Sequence, residues 1–228
     1  CKDNGVELPA EDIENFDIFH WGAEFSRVFD PDKKPEERGF DVVVGNPPYI
    51  KYRDLKKVEN QILDLVSDLD YYETPFHCFD IAVPFLERSH NLLSDSGELG
   101  FIMTNKWMKQ RYGKKLRVNL KEEQSVSKVI DFTDQQVFKG LTTYTMILFL
   151  NKKRNDKIRY AEIDEIDGNI RERLSKVHKD IENGQMRAFD ASYENLTAET
   201  WTFIPKIESE ILNDSDFNDL DAYAESIY

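Results

Sequence analysis

Four short apolar runs recur along the chain, each ended by glycine, proline or polar residues. They cover residues 42–44, 98–103, 126–133 and 144–150. Continuous apolar runs bounded by turn residues predict strands that are buried in a sheet. A further stretch at residues 157–163 predicts a strand at the edge of that sheet.

Two segments between these runs place apolar residues at the spacing of an amphipathic helix. Residues 51–70 form the first segment and residues 79–93 the second. Pro84 would disturb the second helix unless the helix begins later than residue 79. Residues 94–97 read Ser-Asp-Ser-Gly and predict a turn. Strands that alternate with helices in this way predict an α/β fold.

The composition excludes several kinds of protein and raises one conflict. The 228 residues contain no apolar stretch of the roughly 18 residues that a membrane span needs. Two cysteines give no disulfide framework, and four scattered histidines show no metal-ligand spacing, so we expect no metal site. With no signal peptide visible, the cytoplasm is the expected compartment. The net charge of −14 opposes DNA binding over the whole surface, because duplex affinity comes largely from neutralising phosphates.

The charge is distributed unevenly along the chain. Between residues 105 and 117 there are six basic residues and no acid, whereas residues 194–228 contain nine acids and one lysine. The basic run follows the strand predicted at residues 98–103, so it should lie at the carboxyl end of that strand. It is either a solvated helix face, as most charge runs are, or a surface that contacts DNA phosphates. The candidates for phosphate contact are Lys106, Lys109, Arg111, Lys114 and Lys115.

The most specific pattern is Asn46-Pro47-Pro48-Tyr49, which directly follows the first apolar run and Gly45. The two prolines fix φ near about −65° and remove two backbone donors. Pro47 also keeps Asn46 out of the helical region. The result is a rigid turn that presents an amide side chain, a carbonyl and an aromatic ring after a strand. In open α/β sheets, ligands bind at the carboxyl ends of the strands.

This segment resembles the catalytic motif of the amino-methyltransferases that modify adenine in DNA, in particular the γ class of restriction-modification enzymes. The resemblance implies that the Asn46 side-chain oxygen and the Pro47 carbonyl accept both N–H groups of the adenine amino group. Its lone pair would then be localised for attack on the methyl group of S-adenosylmethionine. Tyr49 would stack on a base flipped out of double-stranded DNA. The implied activity is that of a site-specific, adenine-specific DNA methyltransferase.

The resemblance extends to three further positions. Phe138 matches the aromatic residue that stacks on the other face of the flipped base. Asp17 and Phe85 match residues that contact the adenine of the cofactor. Each position also has a plain structural interpretation: a solvated turn for Asp17, a core residue for Phe85 and a packing anchor for Phe138.

The resemblance also implies a fold and a domain organisation. The fold is a partial Rossmann-like methyltransferase sheet of about four to five strands, with the last strand inserted antiparallel and helices on its faces. Residues 1–160 would be the C-terminal part of the catalytic domain, and residues 161–228 a helical linker toward a target-recognition domain. The ten glycines include no Gly-x-Gly pair, so the loop that holds the methionine end of the cofactor is not in this chain. We therefore expect the 228 residues alone to be inactive, with a nuclease and a recognition domain as partners, fused or separate.

Three other functions stay open at this point. RNA methyltransferases and protein-glutamine methyltransferases use the same four-residue motif. A third alternative is a non-catalytic platform on which a recognition domain or a partner subunit docks. The Phe138 loop, and the acidic segment at residues 206–228 that resembles the lead-in to a recognition domain, favour DNA.

Overall fold

The computed structural model describes the sheet and its surroundings. The described residues are 19–51, 53–54, 72–74, 79–133, 135, 137–138, 144–163, 175–176, 179 and 187–205. Asp17, most of the helix predicted at residues 51–70 and the acidic segment at residues 206–228 lie outside them.

Six strands of the described chain form one mixed sheet, which confirms the predicted α/β architecture. In chain order the strands are β1 (Phe40–Gly45), β2 (Leu93–Thr104), β3 (Val126–Asp131), β4 (Thr145–Asn151), β5 (Lys157–Glu162) and β6 (Ala188–Ser192). Their order across the sheet is β1-β2-β4-β3-β5-β6. β4 lies antiparallel between β2 and β3, whereas β1 pairs with β2 and β3 pairs with β5 in parallel. The predicted antiparallel insertion is therefore confirmed.

The sheet has one strand more than expected. β6 pairs with β5, so β5 is an interior strand and not the edge of the sheet. β6 reads Ala-Phe-Asp-Ala-Ser, and a short edge strand of this kind contains no apolar run that would reveal it. Residues 187–205 thus contain a strand where the sequence predicted a helical linker, and the predicted boundary at residue 160 falls inside β5.

Short helices connect the strands. The α-helices of the described residues are α1 (Trp21–Glu24), α2 (Ala82–Asn91) and α3 (Lys114–Glu123), and the 3₁₀ helices are Pro35–Glu37, Lys106–Met108, Arg111–Gly113 and Tyr193–Asn195. α2 begins later than the predicted start at residue 79. Pro84 consequently lies in its first turn, where a missing N–H costs no helical hydrogen bond. None of the described helices has the length and apolarity needed to cross a bilayer.

The turn predicted at residues 94–97 is wrong, because these residues belong to β2. They nevertheless interrupt the pairing of β2 with β1. Phe40 is opposite Leu93 and Val42 is opposite Glu98, so four residues of β2 face a single residue of β1. Gly97 is required in this bulge, since a Cβ there would lie 2.5 Å from the Phe40 carbonyl oxygen.

The main core surrounds β4 and is closed by residues that follow β6. Met146 and Leu148 of β4 are fully buried, and so is Trp201. The Trp201 ring centroid lies 5.4 Å from that of Trp107. The Trp201 backbone N–H donates to the Met108 carbonyl at 2.8 Å. The segment after β6 therefore belongs to the same core as the rest of the sheet.

β1 is a strand as predicted, but it is not buried. Val43 packs against the core, whereas Val42 is 66% and Val44 77% exposed. Successive side chains of a strand point to opposite faces. The face of β1 that carries Val42 and Val44 is therefore open to solvent. The prediction of a buried strand was wrong because an apolar run does not reveal whether both of its faces are covered.

Candidate active site

The carboxyl ends of four strands meet at one edge of the sheet, here called the active edge. β1, β2, β3 and β5 run in the same direction and end at Gly45, Thr104, Asp131 and Glu162. β4 begins at this edge, because Thr145 pairs with Thr104. Asn46 and the basic run after β2 therefore lie at the same edge. In open α/β sheets this edge is where ligands bind.

The turn after β1 exposes Asn46 while it anchors the neighbouring residues. Asn46 is exposed and Pro47 is buried. Tyr49 is half-buried, and its hydroxyl donates to the Ile102 carbonyl of β2 at 3.2 Å. The Asn46 amide is thus presented to solvent by a turn that is attached to the sheet, as recognition of a substrate requires.

The contacts after Asn46 hold this turn in place. Burial, assisted by the negative charge of Asp80, raises the pKa of Tyr49 to about 12. The phenol is therefore protonated at physiological pH and remains a donor to the Ile102 carbonyl. One residue further on, the Ile81 N–H donates to the Ile50 carbonyl at 3.0 Å. Two consecutive residues are thus fixed to different elements.

Phe138, in the loop between β3 and β4, reaches the same turn. Its ring centroid lies 6.3 Å from that of Tyr49, and the two ring planes are inclined at 61°. This is an edge-to-face contact of the kind that aromatic pairs prefer. A base held between the rings needs parallel planes, so binding would require one ring to turn. The structure brings the two predicted stacking residues together without showing the sandwich itself.

Phe85 is exposed on α2. Its side chain is 48% exposed, whereas its neighbours Ala82, Val83 and Leu86 are buried. The alternative of a core phenylalanine is therefore excluded, and the ring offers an apolar surface to a ligand. Asp17, the other residue predicted to contact the cofactor, lies outside the described residues.

The five candidates for phosphate contact differ in their surroundings. The exposed ones are Lys109, Arg111 and Lys115. Lys106 is partly buried, and Lys114 forms an ion pair with Glu199. A phosphate can approach the exposed Lys109 and Arg111 at little cost, whereas Lys114 would have to exchange one anionic partner for another.

Arg117, the sixth basic residue of the run, has a structural role. It is 1% exposed, and its guanidinium donates to the carbonyls of Trp107, Gln110 and Ala198. Burial lowers the pKa of Arg117, an effect that the carboxylate of Glu199 opposes. Arg117 therefore fastens the basic run to the segment after β6 and is not exposed to a phosphate.

The buried carboxylate of Asp131 and the partly buried one of Asp80 were missed by the sequence patterns. Asp131, the last residue of β3, accepts hydrogen bonds from the Thr133 N–H at 2.9 Å and the Tyr160 hydroxyl at 3.3 Å. Asp80 accepts from the Ala82 N–H at 3.1 Å. Burial raises the pKa of both carboxyl groups. The available sequence signal for Asp131 was its position as a polar residue at the end of an apolar run. No comparable signal marks Asp80. No three His, Cys, Asp or Glu side chains of the described residues converge as metal ligands would.

The mixed sheet with its antiparallel insertion, and the Asn-Pro-Pro-Tyr turn at its active edge, define a Rossmann-like methyltransferase fold. The chain belongs to the Eco57I restriction-modification methylase family, whose model matches residues 2–138. It is 40% identical over 124 residues to the type II restriction enzyme and methyltransferase RM.Eco57I of Escherichia coli, covering 54% of this chain and 12% of that protein. It is 34% identical over 121 residues to the type II methyltransferase M.XhoI of Xanthomonas vasicola, covering 53% of this chain and 21% of that protein. The chain thus spans only a small part of either relative.

Two solved structures share the fold. A methyltransferase subunit of a type I restriction-modification system from Streptococcus thermophilus superposes with a TM-score of 0.51 at 18% identity, covering 75% of this chain and 40% of that chain. The type IIG restriction endonuclease BpuSI superposes with a TM-score of 0.50 at 16% identity, covering 68% of this chain and 19% of that chain. At these identities the likeness establishes the fold alone.

Proposed function

We propose that this chain is the part of a DNA methyltransferase that holds the target adenine during transfer of a methyl group to its N6 atom. The observation that carries the proposal is the exposure of Asn46 at the active edge, on a turn anchored through Tyr49. Membership of a restriction-modification methylase family supports the assignment to DNA. The full-length protein would combine this part with a recognition domain and a nuclease, fused or on separate chains.

Asn46 and Pro47 act on the substrate by orientation. The exocyclic amino group of adenine is a poor nucleophile, because its lone pair is delocalised into the ring. The Asn46 side-chain oxygen and the Pro47 carbonyl each accept one of its N–H groups, so the lone pair is localised and directed. Two fixed acceptors in a rigid turn need no reorganisation during the reaction, which is the source of their effect on rate.

Tyr49 and Phe138 hold the flipped base. Stacking on an aromatic ring contributes roughly 1–3 kcal/mol per base, which offsets the cost of removing the base from the duplex. The hydrogen bond from Tyr49 to the Ile102 carbonyl fixes one ring, and Phe138, on a loop, is the ring that adjusts. An extrahelical adenine would thus be clamped with its amino group toward Asn46.

In this proposal the cofactor contacts the described part of the chain through Phe85. An exposed aromatic ring on α2 is the kind of apolar wall that the adenine of a nucleoside cofactor needs. S-adenosylmethionine, when bound, supplies the electrophilic methyl group. We assign Phe85 and Asp17 to its binding. The DNA backbone would be held by Lys106, Lys109, Arg111, Lys114 and Lys115, which lie at the active edge although the whole chain is acidic.

The proposal is tested by expressing the full-length protein in bacteria that lack adenine methyltransferases. Mass spectrometry of hydrolysed DNA should detect N6-methyladenine, and long-read sequencing should locate it in one sequence motif. Methylated RNA or methylglutamine without methylated DNA would instead support the corresponding alternative. The absence of methylation in all three would support a non-catalytic platform.

Asn46→Ala in the full-length protein should lower the turnover number at least about 100-fold, because one of two preorganised acceptors is lost. Affinity for DNA should change by less than about threefold, since the phosphate contacts are intact. The control is Asn91→Ala, at an exposed residue of α2 away from the active edge. Retention of most of the turnover by Asn46→Ala would contradict the proposed role.

A further inference from the structure

A cavity adjoins the segment that follows the turn with Asn46. It has a volume of about 350 Å³, and among the described residues its walls include the cations Lys51, Arg53 and Lys106 and one acid, Asp80. We call it the cationic cavity. Neither Lys51 nor Arg53 belongs to the basic run after β2, so this grouping arises only in the folded chain.

Backbone hydrogen bonds place the first wall of the cationic cavity. The catalytic turn continues through Ile50 into Lys51, which forms an isolated antiparallel bridge with Asp80. The Asp54 N–H then donates to the Lys51 carbonyl at 2.9 Å, closing a turn that contains Arg53. Lys51 and Arg53 lie a few residues after Tyr49 on the same segment. The contacts that hold Tyr49 in place therefore also position both cations.

The opposite wall comes from the segment after β2. It supplies Lys106, Gln110 and Tyr112. The Gln110 carbonyl accepts a hydrogen bond from the buried Arg117 at 2.9 Å, so this wall is fastened to the core. Cations from two segments that are distant in sequence thus converge on one cavity.

The charge of the cationic cavity selects an anion. Three cations face one carboxylate, and that carboxylate already accepts the Ala82 N–H of α2 at 3.1 Å. The charged and titratable groups that act on Asp80 are Lys106, Lys51, Tyr49 and Tyr112. The first two favour its charged form, and burial opposes it. Asp80 is thus engaged by the protein, while the cations give the cavity a net positive charge.

We propose that the cationic cavity binds a phosphodiester of the target DNA strand, at a phosphate directly flanking the flipped nucleotide. This inference rests on the proposed function, because it places the base on Tyr49. Lys51 bridges to Asp80, and the Ile81 N–H donates to the Ile50 carbonyl at 3.0 Å, so the wall of the cavity directly follows the stacking residue Tyr49 along the chain. A base on Tyr49 has its two flanking phosphates within one nucleotide of that ring. Lys51 and Arg53 then hold the sugar-phosphate backbone in the extruded form, a contact that positions without reading sequence.

The test combines a neutralised phosphate with a neutralised side chain in the full-length protein. The probe is a duplex that contains the motif located by sequencing, with a methylphosphonate at one or the other phosphate flanking the target adenine. For the wild type, one of the two substitutions should weaken binding by about tenfold. In the variant with Lys51→Ala and Arg53→Ala, binding to unmodified DNA should be weakened to a similar extent, and the same methylphosphonate should have little further effect.

Lys153→Ala is the matched control, because this exposed lysine follows β4 at the opposite edge of the sheet. It should respond to the methylphosphonate as the wild type does. Suppose that, for each methylphosphonate, the loss of affinity in the double variant equals the product of the two separate losses. The cationic cavity then holds neither phosphate, and the inference is overturned.

A separate readout distinguishes this inference from the proposed function. If the wild type methylates no adenine, binding to a duplex of arbitrary sequence is measured against salt concentration. In the variant with Lys51→Ala and Arg53→Ala, loss of one phosphate contact should reduce the magnitude of the slope of log affinity against log salt by about 0.9. Lys153→Ala should leave the slope unchanged. A slope of smaller magnitude in the double variant would support the phosphate site even if the protein does not methylate adenine. An unchanged slope in the double variant would exclude it.

Discussion

The two ends of the sheet differ in how completely they are covered. Around β3, β4 and β5 the core side chains are buried, and Trp201 and Phe203, which follow β6, pack against them. At β1 the face with Val42 and Val44 is open, and the nearby helix α2 exposes Phe85. The turn that carries Asn46 extends from the open end, and the Tyr49 hydroxyl attaches it to the Ile102 carbonyl of β2. The comparison suggests that the closed end supplies rigidity and the open end supplies surface for ligands.

The closed end also buries polar groups, and two of them, Arg117 and Tyr193, are held by hydrogen bonds. Arg117 holds three carbonyl groups, and the Tyr193 hydroxyl donates to the Val126 carbonyl at 2.6 Å. Buried polar groups are costly unless they are paired, so these contacts specify one arrangement of the chain. Substitutions should therefore have large effects on stability at the closed end and small effects at β1.

The largest loss is expected for Trp201→Ala. Trp201 is fully buried against Trp107, and removal of a buried aromatic side chain costs about 3–5 kcal/mol. Urea unfolding followed by circular dichroism measures this cost. Tyr144→Ala serves as the control, because its side chain is 54% exposed, and it should cost less than about 1 kcal/mol. Equal costs would mean that the segment after β6 does not seal the core.

Arg117→Ala should have the next largest effect. The substitution leaves the carbonyls of Trp107, Gln110 and Ala198 without their charged donor, at a cost of about 2–4 kcal/mol. Arg117→Lys should recover little, since an ammonium group cannot reproduce the planar guanidinium fork. Both are measured by urea unfolding beside Lys115→Ala, an exposed position on α3 that should change stability by less than about 0.5 kcal/mol. Full rescue by lysine would show that charge alone matters there.

Asp131→Asn tests a smaller, pH-dependent contribution. Burial raises the pKa of Asp131 above its ordinary value of 3.8, so the folded chain favours the protonated form. The contribution of Asp131 to the stability of the wild type is therefore greatest below that ordinary value and is lost as pH rises through the raised pKa. The amide that replaces the carboxyl group in the variant does not titrate, so the melting temperature of the variant relative to the wild type should increase with pH across this window. A difference that stays constant between about pH 4 and pH 8 would contradict the shift.

Features that follow from local sequence patterns could be predicted from the sequence. Features that depend on which distant segments cover or pair with a residue could not. The strands β1 to β5 and the rigid turn at Asn46 follow from short-range patterns, and so does the placement of the basic run at the same edge. The exposure of Val42 and Val44 could not be predicted, because it depends on what lies over the strand. The burial of Arg117 depends in part on the carbonyl of Ala198, which is distant in sequence.

The smallest effect, and the sharpest contrast, comes from one substitution made at both ends of the sheet. Val44→Thr keeps the β-branched shape and places a hydroxyl on a side chain that is 77% exposed, so stability should change by less than about 0.5 kcal/mol. Val129→Thr makes the same change on β3, where the side chain is fully buried, and should cost about 1–3 kcal/mol because the hydroxyl loses its water. Urea unfolding of both variants gives the two values directly. A cost at Val44 equal to that at Val129 would mean that the open face is covered in solution, and the distinction between the two ends would then fail.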